Sequence, residues 1–209
     1  MGYAKRDFDM ASLQFSRDYL LDQLAYNVQE QGPTTTEDTG IGYWATLGYR
    51  ATGHWAFEGT YSKLSLMQYK STATQGYSVR TDFSTTPPTP LIFPGPATTK
   101  FDIEDNALQI DALFIIPQGY RWEFYGRGGF LIATTKVEAK VDEPASATPH
   151  KAQLSTSSNT YHVAVGFTYS MLEVYGLRVE YNHAFAVGGH VIGGEHDVDS
   201  ITLGVVVAF

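Results

Sequence analysis

Several features that this 209-residue sequence lacks, or has little of, narrow the classes of protein that it can encode. The chain has no cysteine, which excludes disulfide bonds and thiolate metal sites. It has 14 lysines and arginines against 22 aspartates and glutamates, and the resulting net charge of −8 argues against nucleic acid as a partner. No run of 18 apolar residues occurs, so no transmembrane helix is predicted. Residues 1–6 also lack the apolar segment of a signal peptide, so an exported chain is expected here in its mature form.

Aromatic residues and glycine are abundant where charge is scarce. Tyrosine, phenylalanine and tryptophan make up 14% of the chain, which also contains 20 glycines, whereas charged residues make up only 17%. This composition favours strands joined by turns over helices. Helical spacing of apolar residues is limited to residues 17–30, which are a candidate for a short helix within a loop. The sequence therefore predicts a single all-β domain over residues 1–209.

Alternating apolar and polar residues predict eight strands. The seven clearest segments are residues 40–51, 55–66, 107–116, 120–134, 161–169, 177–187 and 198–209, and residues 8–16 are taken as the eighth strand. Long loops are predicted at about 17–39, 69–105, 138–158 and 188–197, and short turns at about 52–54, 117–119 and 173–176. Short turns that alternate with long loops are the layout of an outer-membrane β-barrel.

The choice between a soluble and a membrane barrel depends on which face of each strand carries the aromatic rings. The interior of an eight-stranded barrel has room only for a packed set of side chains, and the many rings on the apolar face would overfill it. A soluble lipocalin-like ligand carrier, the alternative, would bury that face. The charged residues of the best strands share the opposite face: Arg50, Glu58, Asp111, Glu123, Arg127, Arg178 and Glu180. Lys63 and His183 break this rule, either because they lie near the outer membrane interface or because a bulge shifts the register.

Several segments, in this order, are similar to a known family. LGYR at residues 47–50, WAFEGTY at 55–61, YGRGG at 125–129, LRVEY at 177–181 and the closing strand at 200–209 together resemble the eight-stranded OmpA-like transmembrane domain and the related opacity-type surface proteins. The resemblance implies an all-β, eight-stranded antiparallel up-and-down transmembrane β-barrel in the bacterial outer membrane.

The same resemblance implies roles for particular residues. The lumen of the family's barrels is plugged by an ionic network, and Glu58, Arg127 and Glu180 match its members by position. Four further residues are candidate members of this lumen network: Arg50, Asp111, Glu123 and Arg178. Because buried charges need partners, a cluster of inward acids and bases is also expected on physical grounds. Phe209, the terminal aromatic residue, resembles the signal that the barrel-assembly machinery reads.

The sequence also contains two weak signals for catalysis and metal binding. Asn182 and His183 are similar to a stretch of the barrel lipid A deacylases, but Phe185 stands where that family has its serine, and a serine hydrolase needs nucleophile and base in contact. His190, Glu195, His196 and Asp197 match no metal-ligand spacing and are better explained as a solvated loop. No enzyme activity, cofactor or metal is therefore expected.

The expected function is that of a non-enzymatic outer-membrane protein whose barrel anchors loops at the cell surface in a structural or adhesive role. A narrow gated channel for ions or small solutes is the alternative. The expected partners are outer-membrane lipid and lipopolysaccharide, the barrel-assembly machinery during biogenesis, and a host or surface ligand that the loops contact.

Overall fold

Twelve β-strands make up most of the part of the chain that the structure, a computed structural model, describes. The described residues are 2–7, 19–20, 26–28, 34–37, 39–73, 78–82, 86–87, 89–93, 97–142, 150–189 and 192–208. The strands are β1 (Gly2–Asp7), β2 (Tyr26–Val28), β3 (Thr34–Glu37), β4 (Thr39–Arg50), β5 (Trp55–Ala73), β6 (Ser78–Asp82), β7 (Thr89–Phe93), β8 (Ala97–Gln118), β9 (Trp122–Asp142), β10 (His150–Ser170), β11 (Tyr175–Gly189) and β12 (Ile192–Val207). Among these residues, no helix is both long and apolar enough to cross a membrane.

Eight of the strands form a closed ring. Each pairs antiparallel with the next in the order β1, β4, β5, β8, β9, β10, β11, β12. β12 returns to β1, where Thr202 lies opposite Gly2. The predicted eight-stranded antiparallel up-and-down barrel is confirmed.

The remaining strands lie at one end of the ring. β4 pairs with the first part of β5, and β3 pairs with β5 further along, at Gln68–Ser71. β3 and β4 therefore lie one after the other along the same side of β5. β2, β6 and β7 form a separate three-stranded sheet. At the other end the connections are short, at residues 51–54, 119–121 and 171–174. Gly119 has a φ of +75°, a left-handed conformation that glycine adopts without steric cost.

Several predicted boundaries are wrong. The first ring strand is β1, ahead of the expected residues 8–16, which lie outside the described residues. Tyr19 and Leu20 are helical, but a helix cannot continue over residues 17–30 because Tyr26–Val28 is a strand. The turn expected at 117–119 starts two residues too early, since β8 continues to Gln118.

The long loops were also predicted too long. Strands extend into all four of them: β2 and β3 into 17–39, β5 to β8 into 69–105, β9 and β10 into 138–158, and β11 and β12 into 188–197. The physical reason is that the apolar residues move from the outer to the inner face of the strands, and this change breaks the alternation on which the prediction depended.

The aromatic and aliphatic face of the ring strands points outward. The large apolar residues of the ring strands that are more than about two-fifths exposed form a band around the ring: Tyr3, Ile41, Tyr43, Leu47, Tyr49, Trp55, Phe57, Tyr61, Leu108, Ile110, Phe114, Ile116, Trp122, Phe124, Phe130, Ile132, Tyr161, Val163, Val165, Tyr175, Tyr181, Ile201, Leu203, Val205 and Val207. Rings of neighbouring strands touch within the band, as in Trp122 and Tyr169, whose centroids are 4.6 Å apart. An apolar exterior is the arrangement of a membrane barrel. The soluble lipocalin-like alternative is wrong, because it requires these rings inside.

Tyrosines mark the edge of this band on the side of the long connections. Tyr43, Tyr61 and Tyr161 are the last outward aromatic residues of the band on β4, β5 and β10; on β11, Tyr181 is followed by Phe185, whose ring packs against Tyr161. On β10 the band runs from Tyr161 to Tyr169, nine residues, which is close to the roughly 9–11 that a tilted strand needs to cross a bilayer. Rings with a polar tip are typical of the headgroup level.

Lys63 and His183 both face outward just beyond the tyrosines. Lys63 forms an ion pair with Glu104 on β8, and His183 Nδ1 lies 2.8 Å from Asp199 Oδ1 on β12. The register shifts of the two strands lie further along, at 64–67 in β5 and at 184–187 in β11. A bulge therefore does not explain the outward position of Lys63 and His183, and their position near the interface stays a prediction.

Beyond the tyrosines, the apolar residues change to the inner face of the wall. In β9 the outward side chains change from Phe130 and Ile132 to Thr134 and Lys136, while the buried inward side chains from Leu131 onward include no charge. Phe101, Ile103, Val137 and Ala139 enclose the fully buried Leu20 in a second core above the band. β8, β9 and β10 therefore continue as a wall with a polar exterior, about ten residues longer than a membrane crossing requires.

Candidate functional site

Arg127 is the centre of a buried cluster of charges in the barrel lumen. Its Nη1 lies 3.4 Å from Glu58 Oε2 and 3.3 Å from Glu180 Oε2, and its Nε lies 3.1 Å from Asp111 Oδ2. Its Nη2 donates a hydrogen bond of 2.6 Å to Gln109 Oε1. Arg127 and its three acidic neighbours, from three other strands, are all buried. The two terminal nitrogens donate hydrogen bonds to Glu58, Glu180 and Gln109, whereas Nε and Asp111 attract each other by charge without a hydrogen bond.

Arg178 supplies the second cation of the cluster. Its two terminal nitrogens hold Glu58 in a bidentate pair of 2.9 and 2.8 Å, and its guanidinium carbon lies 5.0 Å from the centroid of the Tyr125 ring. The Tyr125 hydroxyl donates a 2.7 Å hydrogen bond to Glu180 Oε2. Each glutamate therefore contacts a cation and a second donor, which offsets the cost of removing its charge from water.

His162 joins the cluster through Asp111. Its Nε2 lies 2.6 Å from Asp111 Oδ1, and its Nδ1 lies 2.8 Å from Asn182 Oδ1. Asp111 is thus held between His162 and Arg127. We call the set Glu58, Gln109, Asp111, Tyr125, Arg127, His162, Arg178, Glu180 and Asn182 the lumen network.

Two inward glycines allow the lumen network to form across strands. Gly129 lies on β9 between Asp111 of β8 and His162 of β10, and a Cβ at this position would collide with the backbone carbonyl oxygen of Ile110 and with the Asp111 carboxylate. Gly166 lies in the same way between Tyr125 and Glu180, and its Cβ would collide with the Tyr125 hydroxyl. In both cases two side chains meet over a strand that has no side chain between them.

The structure places the predicted lumen residues in two groups. Glu58, Asp111, Arg127, Arg178 and Glu180 lie together in the network. Arg50 and Glu123 form a separate ion pair of 2.7 Å that is part-exposed at the short-turn end. There Arg50 also donates to the carbonyl oxygens of residues 52 and 53.

Sequence reasoning did not single out the uncharged members of the network. Gln109, Tyr125, His162 and Asn182 all share the inward parity of the charged residues, and this parity was the available signal. The predicted cluster was built from formal charges alone, so polar side chains that carry no fixed charge were left out.

The lumen network lies between a large and a small cavity. On the short-turn side lies a cavity of about 570 Å³, lined by residues that include Trp44, Arg50, Glu123 and Thr168. On the other side, a cavity of only about 30 Å³ is left by a small apolar cluster: Ala4, Leu131, Ala133, Ala184, Val187 and Val198. The large cavity thus reaches the network from the short-turn end.

A second group of titratable residues lies outside the band, at its tyrosine edge. Asp199 Oδ1 accepts a 2.6 Å hydrogen bond from the Tyr181 hydroxyl and contacts His183. The hydrogen bond from Tyr181, together with that from His183, lowers the pKa of Asp199 below its ordinary value of 3.8. The amide of Ala186 donates to Asp197 Oδ1 at 2.9 Å and thereby ties the bulge of β11 to β12.

Two predicted features remain without a structural description. Phe209 and His190 lie outside the described residues. Within the parts of the chain that the structure does describe, no three His, Asp or Glu side chains are grouped so as to hold a metal ion.

Comparison with solved structures places the fold beside known outer-membrane barrels. Neisserial surface protein A matches with a TM-score of 0.50 and 13% identity, over 100% of this chain and 97% of that one. Ail, the attachment invasion locus protein of Yersinia pestis, matches with a TM-score of 0.43 and 13% identity, over 100% and 94%. The structure of Ail in complex with the heparin analogue sucrose octasulfate matches with a TM-score of 0.46, at the same identity and coverage.

Sequence comparisons supply the family. No curated protein sequence matches the chain. The family model for the outer membrane protein beta-barrel domain matches residues 13–209, nearly the whole chain. This match agrees with the closed ring and the outward apolar band. The chain therefore belongs to the outer membrane protein beta-barrel family, and it resides in the bacterial outer membrane as an eight-stranded transmembrane barrel.

Proposed function

We propose that this protein is a non-enzymatic surface protein, whose barrel anchors a rigid structure that contacts ligands outside the cell. The observation that carries the proposal is the extension of β8, β9 and β10 well beyond the tyrosine edge of the apolar band. Long connections of outer-membrane barrels face the exterior, so this extension stands on the cell surface.

The extension resembles a recognition surface, because it is rigid and much longer than is needed to connect two strands. Leu20 and the apolar inner residues around it form a core that stiffens the wall. Outside, Lys140 Nζ lies 2.6 Å from Asp102 Oδ2, and Lys151 Nζ lies 3.4 Å from Glu138 Oε1, so charges of both signs face the medium. A rigid surface loses little conformational entropy when a partner binds.

The proposal is tested by removing the extension and keeping the barrel. In the short-barrel variant, Asn-Gly turns replace residues 69–101 and 135–156, whose flanking residues are cross-strand partners in the fold. Gram-negative cells that display the full chain should be retained on cultured epithelial cells, and cells that display the short barrel should not. Equal retention by the two forms, or no retention by the full chain, would contradict the proposal.

A narrow channel is the second candidate, and the cavity of about 570 Å³ is the observation that favours it. That cavity stops at Arg127, so conduction would require the lumen network to open. Planar-bilayer recordings of the wild type and of Arg127→Ala decide the matter. Conductance that rises in Arg127→Ala would support gating by the network, whereas silence in both proteins excludes the channel.

Membrane partners follow from the same layout. Lipid tails are the proposed neighbours of the apolar band, and lipopolysaccharide headgroups are the proposed neighbours of the outward polar residues next to the tyrosines, among them Lys63, His183 and Asp199. Recognition of Phe209 by the barrel-assembly machinery stays a prediction from the sequence.

A further inference from the structure

Four of the seven lysines of the chain lie side by side on the outer face of the extended wall. Lys100 of β8 is directly opposite Lys70 of β5 on one side and Lys140 of β9 on the other. Lys140 is in turn directly opposite Lys151 of β10. Neighbouring strands are about 4.7–4.9 Å apart, so the four positions form a continuous line across four strands. We call these four residues the lysine row.

The lysine row weakens the fold that carries it, because like charges directly opposite each other in a sheet repel. Three such pairs follow one another along the row. Nearer the membrane, the same two strands place Glu104 opposite Lys136, a pair of opposite charges that stabilises a sheet. The row also contributes nothing to the core, because it shares the outward parity while its neighbours Phe101 and Ala139 are buried. Its value to the protein therefore lies in what it contacts outside.

Carboxylates of the fold serve only part of the lysine row. Lys140 Nζ lies 2.6 Å from Asp102 Oδ2 and 3.5 Å from Glu138 Oε1, and Lys151 Nζ lies 3.4 Å from the same Glu138 oxygen. Among the residues that the structure describes, no carboxylate lies within ion-pair distance of the other two lysines of the row. Four ammonium groups thus face two carboxylates, and the row keeps a positive excess in a chain whose net charge is −8.

The lysine row stands well clear of the lipid headgroups. On β9, Lys140 lies eight residues beyond Ile132, the last outward apolar residue of the band. Eight residues of strand span about 26 Å, which is about 19 Å along the membrane normal at a tilt of about 45°. The headgroup region on one side of a bilayer is only about 5–7 Å thick. The row therefore meets molecules of the medium.

The chemistry around the lysine row favours carboxylates as its ligands. The row contains no arginine, whose planar fork is the usual choice for phosphate and nucleic acid. None of the outward residues described on this part of the wall is aromatic, so nucleic-acid bases find no ring to stack on. Within the fold, the ammonium groups of the row already accept the carboxylates of Asp102 and Glu138. Side chains of the same kind on another protein are its natural partners.

We propose that the lysine row binds an acidic segment of an extracellular protein, through ion pairs between its ammonium groups and the glutamate or aspartate side chains of that segment. Complementary charges of this kind speed the encounter and fix the orientation of the partner. The inference rests on the proposed function, because it requires the extension to face the outside of the cell. It adds the site and the charge of the partner.

The probe is a fluorescent peptide of alternating glutamate and serine, and its control has glutamine in place of every glutamate. Each peptide is added to the full-length protein refolded in non-ionic detergent micelles, and its anisotropy is followed at low and at physiological ionic strength. Lys100→Gln removes a central charge of the row. Lys136→Gln, on the same outer face but outside the row, is the matched control. Asp102→Asn removes a carboxylate that competes for Lys140.

The wild type should bind the glutamate peptide but not the glutamine peptide, and the binding should weaken as salt is added. Lys100→Gln should weaken it about twofold to fivefold, the usual effect of one exposed ion pair, and Lys136→Gln should leave it nearly unchanged. Asp102→Asn should strengthen it by a similar factor. Urea unfolding should show Lys100→Gln to be at least as stable as the wild type, because the substitution removes two repulsions.

Three results would overturn the inference: no binding of the glutamate peptide, equal losses in Lys100→Gln and Lys136→Gln, or weaker binding by Asp102→Asn. Dextran sulfate and an oligothymidylate are tested beside the peptides. Binding of either polymer without binding of the glutamate peptide would also overturn it, in favour of a sulfated or phosphorylated ligand. Because the assay is run in micelles, its failure leaves the cell-retention test of the proposed function unaffected.

Discussion

Gly129 and Gly166 determine whether the lumen network can form, since each stands in a strand between two side chains that must touch. At Gly129 the Asp111 carboxylate lies where a Cβ would be and from there contacts His162. At Gly166 the Tyr125 hydroxyl lies where a Cβ would be and from there donates its hydrogen bond to Glu180.

Gly129→Ala is therefore expected to destabilise the barrel by about 1–3 kcal/mol, the usual cost of overpacking a closely packed interior. The matched control is Gly126→Ala on the same strand, where an added Cβ meets nothing within 4 Å. Urea unfolding in lipid vesicles gives both free energies. Equal effects of the two substitutions would mean that the backbone of β8 and the Asp111 carboxylate do not need the space beside residue 129.

Arg127→Ala removes the cation that three buried carboxylates share. Breaking a buried ion pair from one side costs about 3–5 kcal/mol, because the partner charges stay buried without compensation. Arg50→Ala breaks a part-exposed pair with Glu123, and such pairs contribute about 0–1 kcal/mol. The same unfolding measurement compares the two variants, and a loss in Arg127→Ala as small as that in Arg50→Ala would refute the central role of Arg127.

Asp199 gives the barrel an acid-sensitive contact outside the membrane. Its pKa is lowered in the folded protein by the hydrogen bonds from Tyr181 and His183, so its contribution to stability is complete above its ordinary pKa of 3.8. This contribution is lost as the pH falls below 3.8 and through the lowered folded value. The stability difference between the wild type and Asp199→Asn should thus shrink below pH 3.8. A difference that grows on acidification would contradict this assignment, and the effect is small because the side chain is half-exposed.

At the scale of the strand, the face that is apolar changes where the strand leaves the membrane. Up to Phe130, β9 has apolar residues outside and a polar network inside; the inward residues from Leu131 onward carry no charge, and the outward residues from Thr134 onward are polar. This reversal marks the membrane surface along a single continuous strand. A lipid-facing charge should accordingly be costly on one side of the boundary and nearly free on the other.

Val165→Arg and Asn159→Arg test this boundary on β10. Both residues face outward, but Val165 lies in the middle of the apolar band, whereas Asn159 lies two residues beyond Tyr161. The first substitution should cost about 2–4 kcal/mol and the second about 0–1 kcal/mol. Similar costs at both positions would place the membrane boundary elsewhere on this strand.

The same reversal explains how far the sequence predicts the strands. Alternation predicts the membrane-spanning parts of β4, β5 and β8–β12, because one parity there is almost purely apolar. It fails above the band, where Lys136, Glu138 and Lys140 give the outer face the composition of a loop. The inner residues Val137, Ala139 and Val141 continue the alternation in the opposite phase. The extension is therefore recognisable in the sequence only when the apolar parity is allowed to change once within a strand.

In the lumen, parity and charge together indicate Glu58, Asp111, Arg127, Arg178 and Glu180, because inward charges are few. They do not indicate that Arg50 and Glu123 pair apart from these residues. That separation depends on the position of each residue along the barrel axis, which is set by the stagger between strands. The stagger follows from pairing around the whole ring and has no local signal in the sequence.

At the scale of the whole molecule, the closed ring gives every barrel strand two neighbours and divides the protein into a membrane part and a surface part. The lumen network and the apolar cluster above it occupy the middle of the interior, and an open cavity lies on the short-turn side. The extended wall of β8, β9 and β10 is the largest feature outside the bilayer. This division is the basis for proposing an anchor that displays a surface, and the orientation of the molecule in the membrane is its central claim.

The absence of cysteine allows this orientation to be measured directly. Ser155→Cys places a single thiol on the exposed face of the extension, and Gly53→Cys places one in a short turn at the opposite end. In intact cells, a membrane-impermeant maleimide should label Ser155→Cys and leave Gly53→Cys unlabelled, and both should react once the outer membrane is permeabilised. Labelling of Gly53→Cys but not of Ser155→Cys in intact cells would contradict the account.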